Sequence, residues 1–163
     1  MPFDRTQSAG YMTNWAARLF ARAIDRELKP LGVASGHLPV FFALAGGRVA
    51  TQADLAEAAA IEQPTMAATL KRMERSGLIA RTPDPTDRRR SAVRLTEMAE
   101  TKAAAVLAAV QQVNEAALAP LSGAERERYL DALQKVVMTL SKRLEAKDPL
   151  EDDDGIARPP DSP

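Results

Sequence analysis

The 163-residue sequence contains no cysteine and a single histidine, His37. Without thiols there is no disulfide, no thiolate nucleophile, no iron-sulfur ligand and no sensor built on cysteine oxidation. One imidazole cannot make a histidine-rich zinc site within a chain and gives a catalytic triad one candidate base. No catalytic residue, metal ligand or cofactor is therefore assigned, and an enzyme is not expected. Aromatic residues make up only 4% of the chain, and no run approaches the roughly 20 consecutive apolar residues of a membrane-spanning helix. The N-terminus, MPFDRTQSAGYM, lacks the apolar core of a secretory signal, so a cytoplasmic protein with no membrane partner is expected.

Net charge is also lacking, with 22 Lys and Arg against 22 Asp and Glu, but the charges are unevenly placed. Between Lys71 and Arg94 eight basic residues face three acidic ones, a net of +5. Between Lys147 and Pro163 six acidic residues face two basic ones, a net of −4. The second stretch has four prolines and few large apolar residues, so 147–163 is expected to be an acidic disordered tail. Such a tail either competes with nucleic acid for the basic segment or serves only solubility.

What the chain has in abundance is alanine and straight-chain residues, with apolar positions every three or four places, and the expected fold is mainly α. A first helix is expected over about 8–29, with Met12, Trp15, Leu19, Ala23 and Leu28 on one stripe, stopped by Pro30 and Gly32. A second, capped by Ser35 and carrying Leu38, Phe41, Phe42 and Ala45, ends at Gly46-Gly47. Thr51 and Asp54 form a capping pair for a short third helix, and Pro64 sits in the first turn of a fourth that runs from near Gln63 to about Ser76 and is terminated by Gly77. Segments 78–82 and 91–95 read as a hairpin around a proline- and arginine-rich tip. Thr96 opens a fifth helix with Ala103, Val106, Val110, Val113 and Ala117 in register; Ser122 and Glu125 cap a sixth. Its Leu130, Leu133, Val137, Leu140 and Leu144 repeat at three and four, a seam that a lone chain would struggle to bury, so these five are the expected dimer interface.

A short helix, a turn, an amphipathic helix with a basic outer face and a basic hairpin, in that order, describe a winged helix-turn-helix. The small wing is expected to have two to three strands. In the fourth helix Met66, Leu70 and Met73 share one face. The outer face then offers Gln63, Pro64, Thr65, Ala68 and Thr69 to base edges, with Thr51, Lys71, Arg72 and Arg75 reaching phosphates. At the hairpin tip Arg88, Arg89 and Arg90 suit a narrow minor groove, with Asp87 bracing Arg89.

The segments TQADLA at 51–56, EQPTM at 62–66, LKRMERSGLI at 70–79, DPTDRR at 84–89 and RLTE at 94–97 resemble the MarR family of bacterial transcriptional regulators, over about residues 8–145. The resemblance implies a homodimer whose platform is 1–30 and 97–146 and whose DNA-binding domain is 31–96. It also implies a pseudo-palindromic double-stranded operator, with half-sites about 10 bp apart, and a small-molecule effector that releases a repressor. That effector would be aromatic or anionic, a coenzyme-A thioester among the options. One departure is Glu62, at an N-cap position where the family often has Ser, Thr or Asp, since a longer carboxylate caps less well.

Trp15, Phe41 and Phe42 either wall an effector cleft or simply pack in the core. Arg18 and His37 either hold an anionic ligand or cap a helix or dimer contact. The competing function is a winged-helix protein-interaction module, for which basic residues on both the fourth helix and the hairpin tip would serve no purpose.

Overall fold

The structure, a computed structural model, describes residues 4–83 and 91–145. The expected acidic tail lies outside the described residues. The chain divides into two compact units, one running through Ala117 and the other beginning at Leu118. The first contains α1 (Ala9–Leu28), α2 (Leu38–Leu44), β1 (Ala50–Thr51), α3 (Gln52–Ala58), α4 (Gln63–Arg75), β2 (Ile79–Pro83), β3 (Ser91–Leu95) and nearly all of α5 (Glu97–Leu118). The second contains α6 (Gly123–Glu145). The small sheet is antiparallel in the order β1-β3-β2, with Ile79 opposite Leu95 and Ala50 opposite Val93.

Local chemistry sets the helix ends. The Ser8 hydroxyl accepts the Tyr11 N–H to start α1, and Gly32 (φ +68°) ends the 3-10 turn that follows it. Thr51 and Asp54 satisfy each other's backbone N–H groups at 3.2 and 2.9 Å, a complete capping box for α3. Thr96 takes the Ala99 N–H and donates its own hydroxyl to the Gly77 carbonyl, which fastens the start of α5 to the end of α4. The Ser122–Glu125 box opens α6 as expected, and the hydroxyl and N–H of Ser122 hold the Glu125 carboxyl below its usual pKa.

Two expectations are corrected. Ser35 does not cap α2: residues 35–37 form a 3-10 turn, the Ser35 N–H is given to Asp25 Oδ1 of α1 at 2.6 Å, and the His37 ring accepts the Ala34 N–H at 3.2 Å. The α1 face turned to the core is Ile24 and Leu28, with Phe20 beside them, whereas Met12, Trp15 and Leu19 of the expected stripe are exposed. Apolar residues occupy two sides of α1, so periodicity alone could not choose between them.

The core of the first unit joins Leu28, Phe41, Leu44, Leu55, Met66, Leu70, Met73, Leu78, Val93 and Val106, each no more than 2% exposed. It thereby fixes the inner faces of α2, α3, α4 and α5 against the sheet. Truncating one of them, such as Leu70→Ala, is expected to cost about 2–5 kcal/mol.

Candidate nucleic-acid interface

The α4 helix follows α3 through a tight turn. Its N-cap, Glu62, makes no side-chain cap bond, and Pro64 lies in the first turn where a missing N–H costs little. At its other end Gly77 (φ +68°) lets the Leu78 N–H reach the Met73 carbonyl and its own N–H reach Glu74, both at 2.9 Å. That double closure stops the helix cleanly. Met66, Leu70 and Met73 are fully buried. The opposite side, Gln63, Pro64, Thr65, Ala68, Lys71, Arg72 and Arg75, is exposed to solvent.

These seven were singled out from the sequence, and the structure brings them onto one surface. Small and polar groups occupy the N-terminal half and cations the C-terminal half. Thr51 is half-buried, and its hydroxyl is engaged in capping α3. Thr69 departs from expectation: it is 4% exposed, and its oxygen accepts Arg72 Nη2 at 3.1 Å. A side chain so covered does not present a donor to a base edge. Asp87, Arg88, Arg89 and Arg90 lie outside the described residues. The strands that lead to them are described, and Arg81 on β2 ties the hairpin to α4 through Glu74 Oε2 at 3.4 Å.

Sequence reasoning passed over Gln52. The first residue of α3, it donates from Nε2 to Gln63 Oε1 at 3.4 Å, across the helix-turn-helix. Thr51, Gln52, Asp54, Gln63, Arg81 and Ser91 line a polar hollow of about 390 Å³ beside the start of α4. A polar residue directly after a cap was the available signal.

The residues named for an effector cleft do not converge on one cavity. Phe41 is core and Phe42 is 48% exposed, and both border a groove of about 280 Å³ with Arg48, Ala103, Ala104 and Leu107. Arg48 is fastened there by donating to the Ala45 and Phe42 carbonyls. On α1, Trp15 stacks edge-on with Tyr11 and lies under the guanidinium of Arg5, which precedes the helix, and Arg18 is exposed on the same helix as Trp15. His37 sits half-buried in the turn before α2, its pKa lowered by burial and by the charge of Arg72, against an opposing pull from Asp25.

A helix-turn-helix flanked by a three-stranded antiparallel wing defines a winged helix-turn-helix protein. Residues 31–90 match the sequence model of the MarR family. It is 26% identical over 136 residues to the HTH-type transcriptional repressor NicR of Pseudomonas putida, covering 83% of this chain and 86% of NicR. The crystal structure of MarR is similar in fold, with a TM-score of 0.76 at 21% identity over 90% of this chain and 99% of that one. So is BpsR of Bordetella bronchiseptica, whose DNA binding is regulated by 6-hydroxynicotinic acid. Its TM-score is 0.74 at 22% identity over 84% of this chain and 98% of BpsR.

Proposed function

We propose that the chain is a homodimeric DNA-binding repressor, released from a pseudo-palindromic operator by a small aromatic or anionic ligand. The observation that carries this reading is the division of α4 into a buried face of Met66, Leu70 and Met73 and an exposed face of Gln63, Thr65, Ala68, Lys71, Arg72 and Arg75. A helix so mounted presents hydrogen-bonding and methyl groups to a major groove, while its cations meet the phosphates on either side. The wing residues Asp87, Arg88, Arg89 and Arg90 extend this footprint into the adjacent minor groove.

Dimerisation is supported by apolar surface left exposed among the described residues. On α6, Leu130, Val137, Leu140 and Leu144 are each close to half exposed or more, and Leu133 is half-buried. A contiguous apolar seam of that kind marks an association surface. In the first unit, Met12, Trp15 and Leu19 of α1 are exposed as well. Release by an aromatic acid is supported by the likeness to BpsR, and the groove beside Phe42 and Arg48 offers an apolar wall with a cation at its rim.

Fluorescence anisotropy tests the reading, with a duplex from the DNA beside the protein's own gene and a scrambled control at two salt concentrations. Selective binding that weakens steeply with salt supports the repressor. Absence of binding at low salt overturns it and favours a protein-interaction module.

A further inference from the structure

We propose that Thr69 is a positioning residue for Arg72: its buried hydroxyl fixes the guanidinium on the flank of α4 that faces the Ser35–His37 turn, so that Arg72 grips a DNA phosphate from a preset place. The inference rests on the reading of α4 as the helix that enters DNA.

Hydroxyls on helices commonly turn back to their own backbone. Thr101 donates to the Met98 carbonyl, Ser76 to Arg72 and Thr139 to Lys135. Thr69 instead, at 4% exposure, accepts Arg72 Nη2 at 3.1 Å. The neighbouring turn feels the same cation. The Ser35–His37 turn packs against α4, and the charge of Arg72 is among the forces holding the His37 ring neutral, opposed by Asp25 of α1. Arg72 therefore lies folded back along its helix toward the turn.

A guanidinium has five N–H donors in a rigid fork, and one bond to Thr69 leaves the others for phosphate oxygens. Long side chains lose rotamer freedom when they bind, and one already held loses less. A phosphate contact made from a fixed position sets the register of α4 in the groove without itself reading a base.

Two readouts test this, and one needs no DNA. His37 is the only histidine in the chain, so its ring protons report alone in an NMR titration. Thr69→Val, which keeps the shape and removes the hydroxyl, is expected to raise the His37 midpoint, as Arg72→Ala does, while Thr69→Ser leaves it in place. Thr69→Ala repeats the measurement with a second side chain in case the valine variant does not fold. The second readout is affinity for a duplex selected from a random pool by the wild-type protein. Thr69→Val should weaken it about five- to tenfold, the scale of a typical net hydrogen bond. Its salt slope should stay unchanged because the charge is kept, whereas Arg72→Ala lowers the slope by about one. In the Arg72→Ala background, Thr69→Val should add no further loss.

An unmoved His37 midpoint in Thr69→Val overturns the proposal, as does an affinity loss that persists without Arg72. If the wild-type protein selects no duplex, the DNA-binding reading fails, and the titration still decides whether Thr69 holds Arg72.

Discussion

Glu100, near the start of α5, closes the turn that ends α2. Its Oε1 accepts the Gly47 N–H at 3.0 Å and its Oε2 accepts the Gly46 N–H at 3.1 Å. Both glycines have left-handed backbones, φ +75° and +82°, and successive N–H groups in such a turn form an anion-binding hollow. Lys102, two residues on, donates to the Leu31 carbonyl at 2.9 Å, so α5 also holds the chain just after α1. Glu100→Ala is expected to cost about 1 kcal/mol, reduced from the value of a buried charged bond by partial exposure. Urea unfolding measures it, and a wild-type midpoint in this variant would mean that the turn holds itself.

Ala60 has φ +50° at the end of α3, a conformation that costs an L-residue roughly 1–2 kcal/mol. It is retained because Ala60 and Ile61 donate N–H groups to the Glu57 and Ala56 carbonyls at 3.0 and 3.1 Å, which turns the chain into α4. Ala60→Gly relieves the strain at some cost in unfolded-chain entropy and should stabilise by about 0.5–1 kcal/mol. The urea midpoint should rise with an unchanged slope; a lower midpoint would refute the strain.

His37 accepts the Ala34 N–H through Nδ1, which requires the neutral ring, and its pKa lies below 6.5 because of burial first and Arg72 second. The unfolded chain then takes up the proton more readily than the folded one. The contribution of His37 to stability is complete above about pH 6.5 and is lost as the pH falls from there through the folded-state value. His37→Asn retains an oxygen for the Ala34 N–H and cannot titrate. Its stability should be flatter between pH 7.5 and about 5.5 than that of the wild type, and identical profiles would remove His37 as the titrating group.

Features set by near neighbours were legible in the sequence. Thr51 with Asp54, Gly77, Thr96 and Ser122 with Glu125 each close a helix end through residues three places away, and Pro64 sits in the first turn of α4. Relations across the fold were not legible. Nothing local marks Glu100 as the partner of glycines 53 and 54 residues earlier, or Asp25 as the acceptor for Ser35. On α4 the buried face was readable from Met66, Leu70 and Met73, but Thr69 stands at its edge, where one residue's burial depends on what packs beside it. The two-residue strand β1 is too short to have a period at all.

Leu140 is 54% exposed on α6. A carboxylate there costs the single chain little and is forced into apolar surroundings only if the seam is covered by a second copy. Leu140→Glu should therefore keep its helical content and sediment as a monomer where the wild-type protein sediments as a dimer. An unchanged dimer would place the interface elsewhere.

The most direct test of α4 as the DNA-reading helix compares Thr65→Ala with Lys71→Ala on a panel of single-base variants of the selected duplex, each at several salt concentrations. Thr65→Ala should change the order of preference among duplexes and leave the salt slope alone. Lys71→Ala should weaken all of them alike and lower the slope by about one. If neither variant differs from the wild type, or both give one and the same profile, the exposed face of α4 does not read DNA.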